Sequence, residues 1–168
     1  MAKTLGYFVT WTTYGTWLQG EEKGYVKGGK ILPANPNLHK ANIKSMANKK
    51  IILNNKQKEI VRETILNEIE KTGQKMLALA VCSNHIHIVL SYTGKPIEKT
   101  VGRLKNAARV ALQKNGLEAR VWSKGFDKKY CFDEKAFKNR VNYVQKHNHG
   151  QRTRETQTCL SGQRRVLS

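Results

Sequence analysis

Two histidines one residue apart stand in the stretch His85-Ile86-His87-Ile88-Val89-Leu90. On a β-strand, side chains alternate between faces, so His85, His87 and Val89 share one side and Ile86, Ile88 and Leu90 the other. Positions two apart on a strand are roughly 6.5–7 Å apart at Cα, near enough for two imidazoles to converge on one cation. Taken alone, the pattern equally describes two surface histidines on a sheet with no metal. Further along, residues 133–147 have helical periodicity. Phe137, Val141 and Val144 form an apolar stripe, and Ala136, Arg140, Tyr143 and His147 form a second stripe on its flank. Tyr143 and His147, at i and i+4, are neighbours there. A cation held by imidazoles beside a phenol would be equipped for metal-assisted nucleophilic chemistry. The plainer reading makes Tyr143 a rim residue of an amphipathic helix and His147 a favourable cation near a helix C-terminus.

These side chains need elements to position them. Residues 5–13 (LGYFVTWTT) are rich in β-branched and aromatic types and predict a strand. Residues 20–42 are dominated by Gly, Pro, Asn and Lys and predict a long loop or insertion. A helix is expected over 54–72, capped by Asn54 with Gln57 three residues on, striped by Val61, Ile65, Leu66 and Ile69, and stopped by Gly73. Strands follow at 75–82 and 85–91, joined by Ser83-Asn84. A second helix runs over about 97–115 and ends at Gly116. A short strand lies within 122–132, and Asp133 caps a third helix. The order predicts an α+β protein with a ferredoxin-like sandwich: one antiparallel sheet, helices on one face, and an open face bearing the histidines. Residues 1–148 form the expected catalytic domain, and residues 149–168 a basic, flexible tail.

The balance of 31 Lys+Arg against 12 Asp+Glu gives a formal net charge of +19. Such self-repulsion points to a polyanionic partner, with nucleic acid ahead of an anionic membrane surface. No apolar run is long enough to span a bilayer, and the first residues show no signal-peptide core. Three widely spaced cysteines (Cys82, Cys131 and Cys159) suggest a reducing cytoplasm and no disulfide framework.

The pieces taken together resemble the single-tyrosine HUH transposases, most closely the REP-associated tyrosine transposase branch. Ser83-Asn84-His85-Ile86-His87-Ile88-Val89 resembles that family's histidine strand, and Tyr143-Val144-Gln145-Lys146-His147-Asn148 its tyrosine helix. Residues 10–18 (TWTTYGTWL) resemble the branch's opening strand, and residues 122–126 (WSKGF) the segment before the tyrosine helix. The resemblance spans roughly residues 5–148. It implies a ferredoxin-like fold and cleavage of single-stranded or hairpin-bearing DNA by attack of Tyr143 on a phosphate. The products would be a covalent 5′-phosphotyrosine and a free 3′-hydroxyl. It also implies a divalent ion, Mg²⁺ or Mn²⁺, held by His85, His87 and a polar residue four after the tyrosine. That residue is usually Gln or Asn in the family and is His147 here. A third nitrogen would shift preference from Mg²⁺ toward Mn²⁺ or another transition metal. Related transposases act as dimers or as monomers, so a homodimer is an open expectation.

Candidate DNA contacts are Arg103, Lys105 and Arg109 on the second helix, Arg152 and Arg154 toward the tail, and Trp11 and Trp17 for base stacking. Each has a structural alternative: solvated surface for the cations and packing for the tryptophans. Two rival readings stand beside the transposase. One is a non-catalytic nucleic-acid-binding module, although the histidine strand lacks the alternating aromatics such sheets use for RNA. The other is a histidine-based metal hydrolase with no covalent step.

Overall fold

The computed structural model describes residues 3–16, 25–27, 30–33, 35–45 and 50–152. Its elements run β1 (Gly6–Thr12), β2 (Tyr25–Lys27), β3 (Lys30–Leu32), α1 (Pro36–Ser45), α2 (Asn55–Thr72), β4 (Met76–Val81), β5 (His85–Ser91), α3 (Ile97–Lys114), β6 (Asp127–Cys131) and α4 (Glu134–Arg152). Four strands make one antiparallel sheet in the order β4-β5-β1-β6. This is the α+β arrangement expected from the sequence.

Helix boundaries follow local chemistry. Asn54 closes a reciprocal capping box with Gln57: the Gln57 N–H donates to Asn54 Oδ1 at 2.8 Å, and the Asn54 N–H to Gln57 Oε1 at 2.9 Å. Gly73 ends α2 at φ 68°, a left-handed conformation that only glycine adopts cheaply. Asp133 starts α4 by accepting from the Ala136 N–H at 2.7 Å.

The expected loop at 20–42 is corrected. A two-stranded hairpin, β2 with β3, and helix α1 occupy much of it. The signals were Gly28-Gly29 between the paired strands and Asn35-Pro36, where Asn35 Oδ1 accepts from the Leu38 N–H at 3.1 Å. The α4 backbone stays helical to Arg152.

Strand alternation sorts the sheet into two faces. Val9, Trp11, Leu79, Val81, Ile86, Ile88 and Leu90 pack with Val61, Ile65 and Ile69 of α2 and Val101, Leu104, Ala108 and Leu112 of α3. The opposite face carries Phe8, Ala78, Ala80, Cys82 and Val89, and α4 lies on it through Val144, Phe137 and Val141. The histidine face is therefore not open, since α4 covers part of it. The apolar stripe read from the sequence is the stripe that docks.

Gly6 makes this docking possible. A Cβ there would meet the Leu90 carbonyl oxygen at 2.4 Å and the Phe137 ring at 2.5 Å. The carbonyl cannot yield without moving strand β5, and the ring would have to turn out of its place between α4 and the sheet. Gly6→Ala is expected to destabilise the fold by about 2–3 kcal/mol, read as a lower urea midpoint, and to loosen α4 from the sheet.

Candidate metal and tyrosine site

Strand β5 places His85 and His87 on the α4 face, opposite Thr12 and Thr10 of β1. The β4–β5 turn is tight: the Cys82 N–H donates to the His85 carbonyl at 2.9 Å, which closes it over Ser83 and Asn84. Because α4 packs through Val144, its next turn carries His147 over the end of β5. The His85, His87 and His147 rings then sit around one small space, with centroids 4.6, 4.9 and 4.9 Å apart. Tyr143 is one turn back, 5.7 Å from the His87 ring and 5.9 Å from that of His147. It remains 48% exposed, open to a partner molecule.

Neighbouring groups orient the imidazoles. Asn84 Oδ1 lies 2.6 Å from His85 Nδ1. A carbonyl oxygen can only accept, so a proton sits on Nδ1, and in the neutral ring Nε2 then carries the lone pair. That Nε2 faces His147 Nε2 at 2.8 Å, a separation that a shared proton or a shared cation satisfies. Thr10 Oγ1 lies 2.7 Å from His87 Nδ1. When Nδ1–H donates to this hydroxyl, Nε2 is the free ligand atom. Phe8 stacks on the other side of the His87 ring at 5.4 Å.

Burial, and after it the adjacent His85 and His147, lowers His87 to about 3. Burial lowers His147 as well. Both are neutral near pH 7, the form that ligates metal. The donors fit a divalent ion of intermediate hardness: His85 and His87 each have an oxygen partner at Nδ1, and among the described residues the ligand atoms of His85, His147 and Cys82 lie within 4.8 Å of one another, with the His87 ring beside them. Thr10→Val is expected to weaken divalent-ion binding by about 10–100-fold without unfolding the protein, measured by calorimetric titration.

The depressed His87 value also fixes a pH dependence. The unfolded chain takes a proton on this histidine near pH 6.5, and the folded chain does so only near 3. Stability is complete above the unfolded value and falls as pH drops through that window, by up to about 1.4 kcal/mol per pH unit from this group. Urea midpoints of the metal-free protein at pH 7.5, 6.5, 5.5 and 4.5 would show it. A profile flat from about pH 6.5 to 4.5 would contradict the burial.

The remaining candidates fall elsewhere. Trp11 is 1% exposed and packs edge-on against Trp122 at 6.2 Å, so it offers no face to a base. Trp17 and Arg154 lie outside the described residues, and Arg152 is the last residue of α4. Helix α3 packs on the opposite face of the sheet from the histidines. Its Arg103 pairs with Glu68 at 2.7 Å. Lys105 donates to the carbonyls of Ser123 and Gly125 at 2.9 and 2.7 Å, pinning that loop. Arg109 is exposed and hydrogen-bonded to Asn106 and Gln113 of its own helix. Thr10 and Cys82 were not singled out as site residues by sequence. Thr10 becomes visible only through strand pairing, and Cys82 has a weak signal in its C-x-x-H spacing to His85.

Residues 37–147, well over half of the chain, match the family model for IS200-like transposases. The chain belongs to the IS200-like transposase family. Among solved structures, this transposase is similar in fold to a REP-associated tyrosine transposase bound to a REP hairpin. That match has a TM-score of 0.56 and 13% identity over 90% of this chain and 71% of the other. It is also similar to a protein from Deinococcus radiodurans R1 described as a transposase. There the TM-score is 0.50 and the identity 14%, over 87% of this chain and 92% of the other. No curated protein matches the sequence. Among the described residues, no helix of the transposase is long and apolar enough to cross a membrane.

Proposed function

We propose that this transposase cleaves and rejoins single-stranded or hairpin-bearing DNA through a covalent 5′-phosphotyrosine on Tyr143. The site would be one in which His85, His87 and His147 hold a divalent ion, Mg²⁺ or Mn²⁺. The observation that carries this reading is the convergence of the half-exposed Tyr143 with three imidazoles across the β5–α4 junction. The fold neighbour bound to a REP hairpin supports hairpin DNA as the substrate class.

The phenol of Tyr143 attacks phosphorus. A tyrosine–phosphate bond forms, the bond to the 3′ oxygen breaks, and the phenolic proton is lost as the leaving oxygen gains one. A second strand's 3′-hydroxyl reverses the step and joins the ends without ATP. A bound divalent ion would supply Lewis-acid stabilisation of the charge that develops on the phosphate. His87, held by Thr10 and Phe8, and His85, held by Asn84, keep the ligand atoms fixed beside the phenol. Arg140, whose guanidinium lies 5.1 Å from the Phe8 ring centroid, adds positive charge on the same flank.

The test uses labelled hairpin-flanked single-stranded DNA with Mn²⁺ or Mg²⁺, followed by denaturing electrophoresis. An SDS-resistant protein–DNA adduct with a free 3′-hydroxyl on the released strand is expected. Binding without cleavage under every metal condition would favour a non-catalytic DNA-binding module instead.

A further inference from the structure

Cys82 closes the β4–β5 turn opposite His85, and its side chain is fully buried on the α4 face. Residues that flank a two-residue turn are cross-strand neighbours, with Cβ atoms about 4.5–5.5 Å apart. The ligand atoms of Cys82, His85 and His147 all lie within 4.8 Å of one another. Bonds of about 2.3 Å to sulfur and 2.0–2.1 Å to nitrogen put tetrahedral ligand atoms roughly 3.3–3.6 Å apart, so the set fits one ion once the His85 and His147 nitrogens, 2.8 Å apart, open slightly and the sulfur lies at that spacing. The His87 ring borders the same space.

We propose that Cys82 is a thiolate ligand of the ion held by His85 and His147, and that it makes the centre prefer a zinc-class ion to Mg²⁺. The inference rests on the histidine-metal reading above and deepens it. As the sulfur–metal bond forms, the thiol loses its proton to solvent, and no oxidation state changes. Soft sulfur adds little for Mg²⁺ or Mn²⁺, which favour oxygen, and much for Zn²⁺ or Co²⁺. With His87 as fourth donor the ion is enclosed by protein. A centre of Cys82, His85 and His147 alone would leave one position for a phosphate oxygen.

The experiment titrates the full chain with Co²⁺ alone and records the absorption spectrum. The expected result is a thiolate-to-Co²⁺ charge-transfer band in the near ultraviolet beside the visible ligand-field bands. The band should persist in the Cys131→Ala/Cys159→Ser double variant, where Cys82 is the sole thiol, and vanish in Cys82→Ser with Co²⁺ still bound. Zn²⁺ affinity should fall at least about tenfold in Cys82→Ser while Mn²⁺ affinity stays within about threefold. Co²⁺ bound without the band, or a band lost in the double variant, overturns the role of Cys82 and leaves the histidine site standing. No Co²⁺ binding at all overturns both. The wild-type and double-variant spectra decide the matter even if Cys82→Ser does not fold.

Discussion

Tyr143→Phe is expected to abolish the protein–DNA adduct and to cut strand cleavage by at least about a thousandfold, because it removes the nucleophile and nothing else. The ring keeps its edge contact with Phe8 at 5.9 Å and its place beside His87 at 5.7 Å. The side chain is 48% exposed, so stability should change by no more than about 0.5 kcal/mol. Metal binding should be unchanged, since the phenol is not required as a ligand. The measurements are adduct formation on denaturing gels, thermal unfolding, and metal titration of the same preparation. Cleavage surviving the substitution would move the chemistry to an activated water, as in a hydrolase without a covalent step.

His85→Ala should lower divalent-ion affinity by more than about a hundredfold, beyond the usual cost of losing an outer-shell partner, and cleavage should fall with it. His85 is the hub of the cluster. Its Nδ1 is held by Asn84 at 2.6 Å, its Nε2 faces His147 at 2.8 Å, and its ring is 4.6 Å from that of His87. Removing it breaks both sides of the cation site at once. His85 is only partly buried, so the fold should survive and the loss can be read as chemistry. Calorimetric titration with Mn²⁺ and cleavage assays across metal concentration check this. Restored cleavage at high Mn²⁺ would indicate weakened binding alone. Wild-type affinity in the variant would exclude His85 as a ligand.

Much of this was determined by the sequence alone, because it depends on short-range rules. Period-two alternation put His85 and His87 on one face of a strand, and period 3.6 put Tyr143 beside His147 and off the stripe of Phe137, Val141 and Val144. The Asn54–Gln57 box, Gly73 and Asp133 marked helix ends because capping is local chemistry. What the tertiary structure decided involves residues far apart in the chain. Trp11 reads as a stacking aromatic and is core, because its strand face lies under α2 and α3. Thr10 reads as one strand residue among several and becomes the partner of His87 through β1–β5 register. The face expected to be open is partly covered by α4, and the close approach at Gly6 allows it. That packing, and no spacing in the sequence, brings Tyr143 and His147 to the two histidines, whereas Cys82 reaches His85 through the local β4–β5 turn. Sequence periodicity fixes which way a side chain points on its own element, whereas the meeting of elements depends on which apolar stripes bury each other.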